Sequence, residues 1–215
     1  MRGLAVLFQI MTLMLVPLCV CGQEAYKPRR GDIIFQVAGG SEFSSAIADA
    51  TDHGGRLRLC HVAVVDLDSM GTPWVIEASE KRGVSMTTLE DFISGSVKIG
   101  GKPGVYVKRL RTGFPVEKGV ERAKSFMGQP YDWTYLPDNG KIYCSELVYE
   151  SFLDDDGHHI FHARPMNFKD REGRMPRFWQ ELFAKLGMEV PQGVAGTNPN
   201  DMFGEEVLEE VYKFF

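Results

Sequence analysis

Residues 141–152 read KIYCSELVYESF, and Cys144 stands at the first turn of what the spacing predicts to be a helix. Four roles suit a lone cysteine there: a small core residue, half of a disulfide, a metal ligand or a nucleophile. Taken alone, core packing is the commoner role. The nucleophile reading has a physical basis, because the unpaired N–H groups at a helix N-terminus favour an anion and the thiolate is the reactive form of cysteine. Leu147, Val148 and Ser151 would anchor that helix on the core and aim the sulfur into a cleft.

A second pair of residues can do chemistry with it. His61 lies in LCHVAVVDL (59–67) and Glu77 in WVIEAS (74–79), both strand-like runs. Pairing them antiparallel about a turn centred near Ser69 puts His61 opposite Glu77, Ala63 opposite Val75 and Val65 opposite Pro73. Opposed residues share a sheet face, and a carboxylate accepting one ring N–H fixes the imidazole tautomer and favours its protonated form. A slip by one residue would separate the pair. Glu77, an acid flanked by apolar residues, needs a partner in any case. Cys144, His61 and Glu77 would then be nucleophile, base and orienter. Cys60 points to the opposite sheet face from His61 and reads as packing, and a Cys60–Cys144 disulfide is the rival account of both thiols. No Cys-x-x-Cys spacing occurs, and neither a metal nor an organic cofactor is expected.

These residues need a scaffold. Strands are expected at GDIIFQVAGG (31–40), 59–67, 74–79 and GVYVKRL (104–110). Helices are expected at SEFSSAIADAT (41–51) with Ser41 as cap, SMTTLEDFIS (85–94), PVEKGVERAKSFMG (115–128) ended by Gly128, the segment from Cys144, and PRFWQELFAKLG (176–187). The stretch VPQGVAGTNPNDM (190–202) is rich in turn residues and reads as extended or looping; its Gly and Pro suit a lid over the cleft. The pattern indicates an α+β domain with a mainly antiparallel sheet packed against helices. At 215 residues, 44% hydrophobic and 25% charged, the chain has ordinary globular composition. A net charge of −5 argues against nucleic acid or an anionic membrane surface as partner.

Residues 1–22, MRGLAVLFQIMTLMLVPLCVCG, read as a secretory signal with Arg2 as basic flank, cleaved before Gln23 and followed by a single domain over 23–215. The apolar run Leu4–Val16 is shorter than the roughly 20 residues a span needs, so no membrane span is expected after cleavage. A retained helical anchor and lipidation at Cys19 or Cys21 are the less favoured alternatives, the latter because Leu18 and Val20 are bulky.

The segments GDIIFQ, HVAVV, VIEAS, GQPYDW and YCSELVY, with the late VPQGVAGTNPNDM, occur in this order from about residue 30 to 205. In these the chain resembles the YiiX/YaeF-like group of permuted papain-fold cysteine hydrolases, relatives of the NlpC-type cell-wall peptidases. In the unpermuted enzymes the nucleophile helix precedes the histidine strand, whereas here YCSELVY follows HVAVV. The resemblance therefore implies a circularly permuted papain-like fold with Cys144 as nucleophile, His61 as general base then acid, and Glu77 as orienter, where many cell-wall peptidases have histidine. It implies a place for Tyr131 of GQPYDW beside the nucleophile, near the oxyanion or substrate. Asp132 and Asp32 read as structural. Ala63, where glycine is frequent in the wider group, would narrow the groove. The expected function is an exported cysteine amidase or peptidase of the periplasm or cell envelope, acting on a cell-wall peptide amide. The alternatives are a lipid or lipoprotein acyl hydrolase or transferase, and a non-catalytic domain holding a peptide or free amino acid.

Overall fold

The computed structural model describes residues 25–51 and 58–215. The expected signal, 1–22, lies outside the described residues. Six strands form one antiparallel sheet: β1 (Ile33–Val37), β2 (Leu59–Leu67), β3 (Pro73–Ser79), β4 (Gly83–Thr88), β5 (Val105–Leu110) and β6 (Leu208–Lys213). Their order across the sheet is β6-β5-β1-β2-β3-β4. Six helices flank it: α1 (Glu42–Ala50), α2 (Leu89–Ser94), α3 (Val116–Ser125), α4 (Cys144–Ser151), α5 (Arg177–Leu186) and α6 (Pro199–Phe203). Among the described residues no helix is long and apolar enough to cross a membrane.

Alternation along the strands divides the apolar residues between two cores. Ile33, Phe35, Val62, Val64 and Ile76 face the larger one, shared with α1, α3, α4 and α5. Ile34, Ala63, Val65 and Val75 face the smaller one, closed by Leu89 and Phe92 of α2. Burial on both faces is why IIF, AVV and VVI are continuous apolar runs. Ala63 is fully buried there, so its methyl group packs in a core and does not narrow a groove.

The β2–β3 pairing differs from the expected register. Val64 pairs with Ile76, Val65 with Val75 and Leu67 with Pro73. Continued along the strands, this sets Ala63 across from Glu77, two residues from the expectation. The cause is Asp68, whose Oδ1 accepts the N–H groups of Met70 (2.9 Å) and Thr72 (2.8 Å) and so closes a loop centred on Met70. A two-residue displacement keeps side-chain parity, so His61 and Glu77 become diagonal neighbours on one face.

Two strands differ from the sequence reading. Residues 85–88, expected as the start of a helix, belong to β4; the helix begins at Leu89, capped by Thr88 Oγ1, which accepts Asp91 N–H at 3.0 Å. β6, LEEVYK, is a charged edge strand. The 190–202 stretch is mostly looping as expected, but Ala195–Gly196 pairs with Arg164–Pro165 and 199–203 form α6.

β4 also positions the segment before the cysteine helix. Val84 N–H bonds Gln129 O and Gly128 N–H bonds Val84 O, both at 2.9 Å. Gly83 (φ +63°) is required here, because a Cβ would sit 2.2 Å from Gln129 O. The chain then runs on to Tyr131, which bridges Ile142 just before α4.

Candidate active site

Cys144 opens α4 and is buried, with Leu147 and Val148 fully buried behind it. Burying two such side chains contributes roughly 1.5–3 kcal/mol each, which fixes the helix end against the sheet. Both described cysteines are free thiols, which disposes of the Cys60–Cys144 disulfide. Cys60 is half-buried, and burial pushes its thiol up, against the opposing effects of Ser44 and His61.

His61 lies where the β1–β2 pairing slips: Gln36 pairs with His61 but Val37 with Leu59. Such a bulge re-aims side chains. The ring tilts against Phe92 (centroids 5.8 Å apart), and its Nε2 meets Glu77 Oε2 at 2.8 Å. The Cys144 thiol lies near enough to the ring to act on its proton affinity. Burial alone would lower the imidazole pKa. The bonds and charges of Cys144 and Glu77 outweigh it and hold His61 well above its ordinary range. Glu77 is the converse case: burial raises its pKa, but His61 and then Arg82 prevail and lower it. Arg82 Nη2 reaches Glu77 Oε1 at 3.1 Å from the β3–β4 turn. The thiol and the carboxylate therefore both act on the one imidazole ring.

Tyr131 is brought to the same place. It lines a small cavity of about 40 Å³ with Cys144, and burial, followed by the charges of Tyr135 and Cys144, holds its hydroxyl far above the ordinary tyrosine range. It remains a neutral hydrogen-bond donor. Asp132, fully buried, accepts Thr134 N–H (2.8 Å), Thr134 Oγ1 (2.6 Å) and Leu136 N–H (3.0 Å), the expected turn role. Asp32 accepts Tyr26 Oη at 2.7 Å and both Arg109 Nε and Nη2 at 2.6 and 2.9 Å, a structural pairing.

The sequence reading missed Arg82, Tyr135, Ser145 and Trp179. Arg82 was detectable as the cation closing a hairpin five residues past Glu77, once β4 is recognised. The other three line the Cys144 cavity; Tyr135 and Trp179 reach it only by tertiary packing, whereas Ser145 follows Cys144 in the chain.

Glu146, in the first turn of α4, was also missed. Its Oε2 accepts Tyr143 N–H at 3.3 Å, as in a capping box. Burial, joined by the charges of Asp132 and Glu150, pushes its carboxyl from 4.5 up to about 8. At neutral pH it is largely protonated and places no negative charge in the first turn beside Cys144. A carboxyl whose folded pKa exceeds its unfolded one lowers stability as pH rises between the two. Glu146→Gln should therefore match the wild type in stability near pH 4.5 and exceed it above pH 8, by on the order of 2 kcal/mol after allowance for partial exposure. Urea midpoints at pH 5 and pH 9 check this, and an equal difference at both would refute it.

A thiol on a helix tip, packed against a strand imidazole–carboxylate pair, with the strand preceding the helix in the chain, defines a papain-like cysteine hydrolase of permuted order. The chain belongs to the family of permuted papain-like amidase enzymes, YaeF/YiiX, C92, whose pattern matches residues 27–212. The uncharacterized protein YiiX of Escherichia coli K12 is 27% identical over 194 residues, 88% of each chain. The crystal structure of metalloprotein yiiX from E. coli O157:H7 superposes with a TM-score of 0.68 at 26% identity, covering 87% of this chain and 98% of that one.

Proposed function

We propose that this papain-like amidase is a thiol hydrolase in which Cys144 attacks an amide carbonyl, His61 shuttles the proton and Glu77 orients the ring. The observation that carries this reading is the His61 ring bonded to the Glu77 carboxylate and near enough to the Cys144 thiol to respond to it. Cys144 Sγ bonds to the acyl carbon, and its proton resides on His61. The oxyanion that forms is met by the Cys144 backbone N–H and the neutral Tyr131 hydroxyl. His61 then protonates the leaving amine, the C–N bond breaks, and water activated by His61 hydrolyses the thioester.

Two hollows flank the thiol–imidazole contact. The first is lined by Cys144 and Tyr131 but not His61. The second, about 340 Å³ and more polar, is lined by His61, Glu77 and Ser79 but not Cys144. Because the acyl group bonds to sulfur and the leaving group is protonated by the ring, the first is the acyl side and the second the leaving-group side.

The metal named for the E. coli O157:H7 protein does not fit this triad. Nε2 of His61 is already spent on Glu77. Among the described residues, the metal-ligating groups that converge are Asp154, Asp156 and His158, at the opposite end of α4. Asp154 Oδ1 there already accepts the N–H groups of Asp156 and His158. His158 and His162 share an i, i+4 spacing but face different carboxylates, Asp154 at 3.5 Å and Glu205 at 2.9 Å. No step is routed through a metal.

The signal-like 1–22 and the sequence resemblance to cell-wall peptidases support export and a peptide amide of the cell envelope as substrate. Incubating the purified protein with muropeptides and, separately, with lipid esters, and reading products by mass, tests this. New amino-terminal fragments from muropeptides are expected. Consumption of lipid esters alone would replace the peptide reading with the acyl-hydrolase one.

A further inference from the structure

Besides the Cys60 thiol, three ionisable side chains line the leaving-group hollow: His61, Glu77 and Glu80. The first two are spent on each other, His61 Nε2 meeting Glu77 Oε2 at 2.8 Å. Arg82 takes the second oxygen of Glu77 but does not line the hollow. Glu80 differs from them. It is exposed, and among the described residues its carboxylate enters no hydrogen bond or ion pair. The β3–β4 turn fixes its place: Arg82 N–H bonds Ser79 O at 3.3 Å, which makes Glu80 and Lys81 the two corner residues. Of these two, Glu80 alone lines the hollow.

Nothing else that lines the hollow offsets this charge. The start of α1 contributes Gly39, Gly40, Ser41 and Ser44. A helix N-terminus carries partial positive charge, but this one is already answered: Ser41 Oγ accepts Ser44 N–H at 3.1 Å, and Glu42 stands in the first turn. Among the described residues, no lysine or arginine lines the hollow. With His61 protonated, the ring and Glu77 cancel, and Glu80 leaves one net negative charge. Once the ring has passed its proton to the departing amine, two carboxylates line the hollow and no cation does. An anion entering such a partly enclosed space is repelled more than it would be in open water, because the walls displace part of the screening solvent.

We propose that Glu80 is a specificity-determining residue for the leaving group, turning away an amine that carries a free carboxylate. This rests on the thiol-hydrolase reading above for assigning the hollow to the leaving group, whereas the charge of the hollow stands apart from that reading. A C-terminal residue, as leaving group, would bring its carboxylate into the hollow with Glu80 and find no cation there to receive it. The carboxamide of the same residue has nearly the same shape and no charge. The unfavourable element is thus aimed at one class of competitor, as specificity by exclusion requires. The enzyme would release amines from amides inside a chain, or from a chain with a blocked end, in preference to single C-terminal residues.

Two measurements test this. In the first, kcat/KM is compared for N-acetyl-L-alanyl-L-alanine amide and N-acetyl-L-alanyl-L-alanine, which differ only in the end of the leaving group. The wild type should favour the amide by about tenfold at low ionic strength. Glu80→Gln should bring the ratio close to one by raising the rate on the acid, and Glu80→Asp should restore most of it. Glu80 is exposed, so neither substitution should disturb the fold. The second measurement needs no turnover, because Cys60 lines the same hollow. The Cys60 peptide is mapped after labelling with a trimethylammonioethyl or a sulfonatoethyl methanethiosulfonate. Relative to free cysteine, Cys60 should favour the cationic reagent by about tenfold, and Glu80→Gln or 0.5 M NaCl should each remove most of that preference. Any change in the thiolate fraction of Cys60 cancels in the ratio of the two reagents. A ratio at Cys60 equal to that of free cysteine, or one untouched by Glu80→Gln, overturns the proposal. So does equal turnover of the two peptides. Charge preference at Cys60 without turnover of either peptide, or of muropeptides, upholds the charge of the hollow and overturns the hydrolase reading instead.

Discussion

Cys144→Ala should lower turnover by about four orders of magnitude or more, since removing the nucleophile of a concerted site abolishes nearly everything the other groups contribute. The fold should survive. The sulfur is one buried atom in an otherwise well-filled core, and its removal should cost about 1 kcal/mol, visible as a small fall in urea midpoint. Iodoacetamide labelling followed by peptide mapping gives an independent readout. The Cys144 peptide should carry the label in the wild type and be absent from the labelled map of the alanine variant. The Cys60 peptide should label slowly, because burial pushes that thiol up. Activity within tenfold of wild type in the alanine variant would remove Cys144 from the reaction, whatever its labelling rate.

The sequence carried the parts of this site that depend on local pattern. The β-branched run LCHVAVVDL has the bounds of β2, and Cys144 followed by Leu147, Val148 and Ser151 has the period of α4. The meeting of His61 with Glu77 was legible for a partly fortuitous reason. The turn was placed one residue early, since the loop-closing role of Asp68 depends on its carboxylate capping Met70 and Thr72. The resulting error of two residues preserves which face a side chain occupies, so the contact survived while its neighbours shifted. Other features had no local signal. β4 and β6 are short and largely polar, and pair with strands that give them their structure. The cavity beside Cys144 gathers residues from 47 to 199, and Trp179 enters it from α5, whose own pattern says only that it is amphipathic. Long-range assembly of this kind has no period to read.

Glu77→Gln should separate the charge of the third residue from its shape. Glutamine can still accept the Nε2 proton of His61, so the ring keeps its orientation, but it no longer stabilises imidazolium. The expected loss in kcat/KM is roughly tenfold to hundredfold, less than for an absent acid–base group. Its signature is in the pH profile. The carboxylate raises the His61 pKa, so its replacement should move the alkaline limb of kcat/KM to lower pH. Stability supplies the sign in a second way. His61, raised in the folded state, contributes fully below its ordinary 6.5, and that contribution is lost as pH rises through the folded value. Glu77, lowered, contributes fully above its ordinary 4.5, and that contribution is lost as pH falls through the folded value. The stability gap between wild type and Glu77→Gln should therefore be widest between about pH 4.5 and 6.5, narrowing on both sides. Arg82 makes the control. It bonds the other carboxylate oxygen from an exposed position, where solvent screens its charge, so Arg82→Gln should shift the alkaline limb far less. If Arg82→Gln and Glu77→Gln move the profile equally, the ring is governed by the charge of the whole turn and Glu77 loses its claim to be the orienting residue.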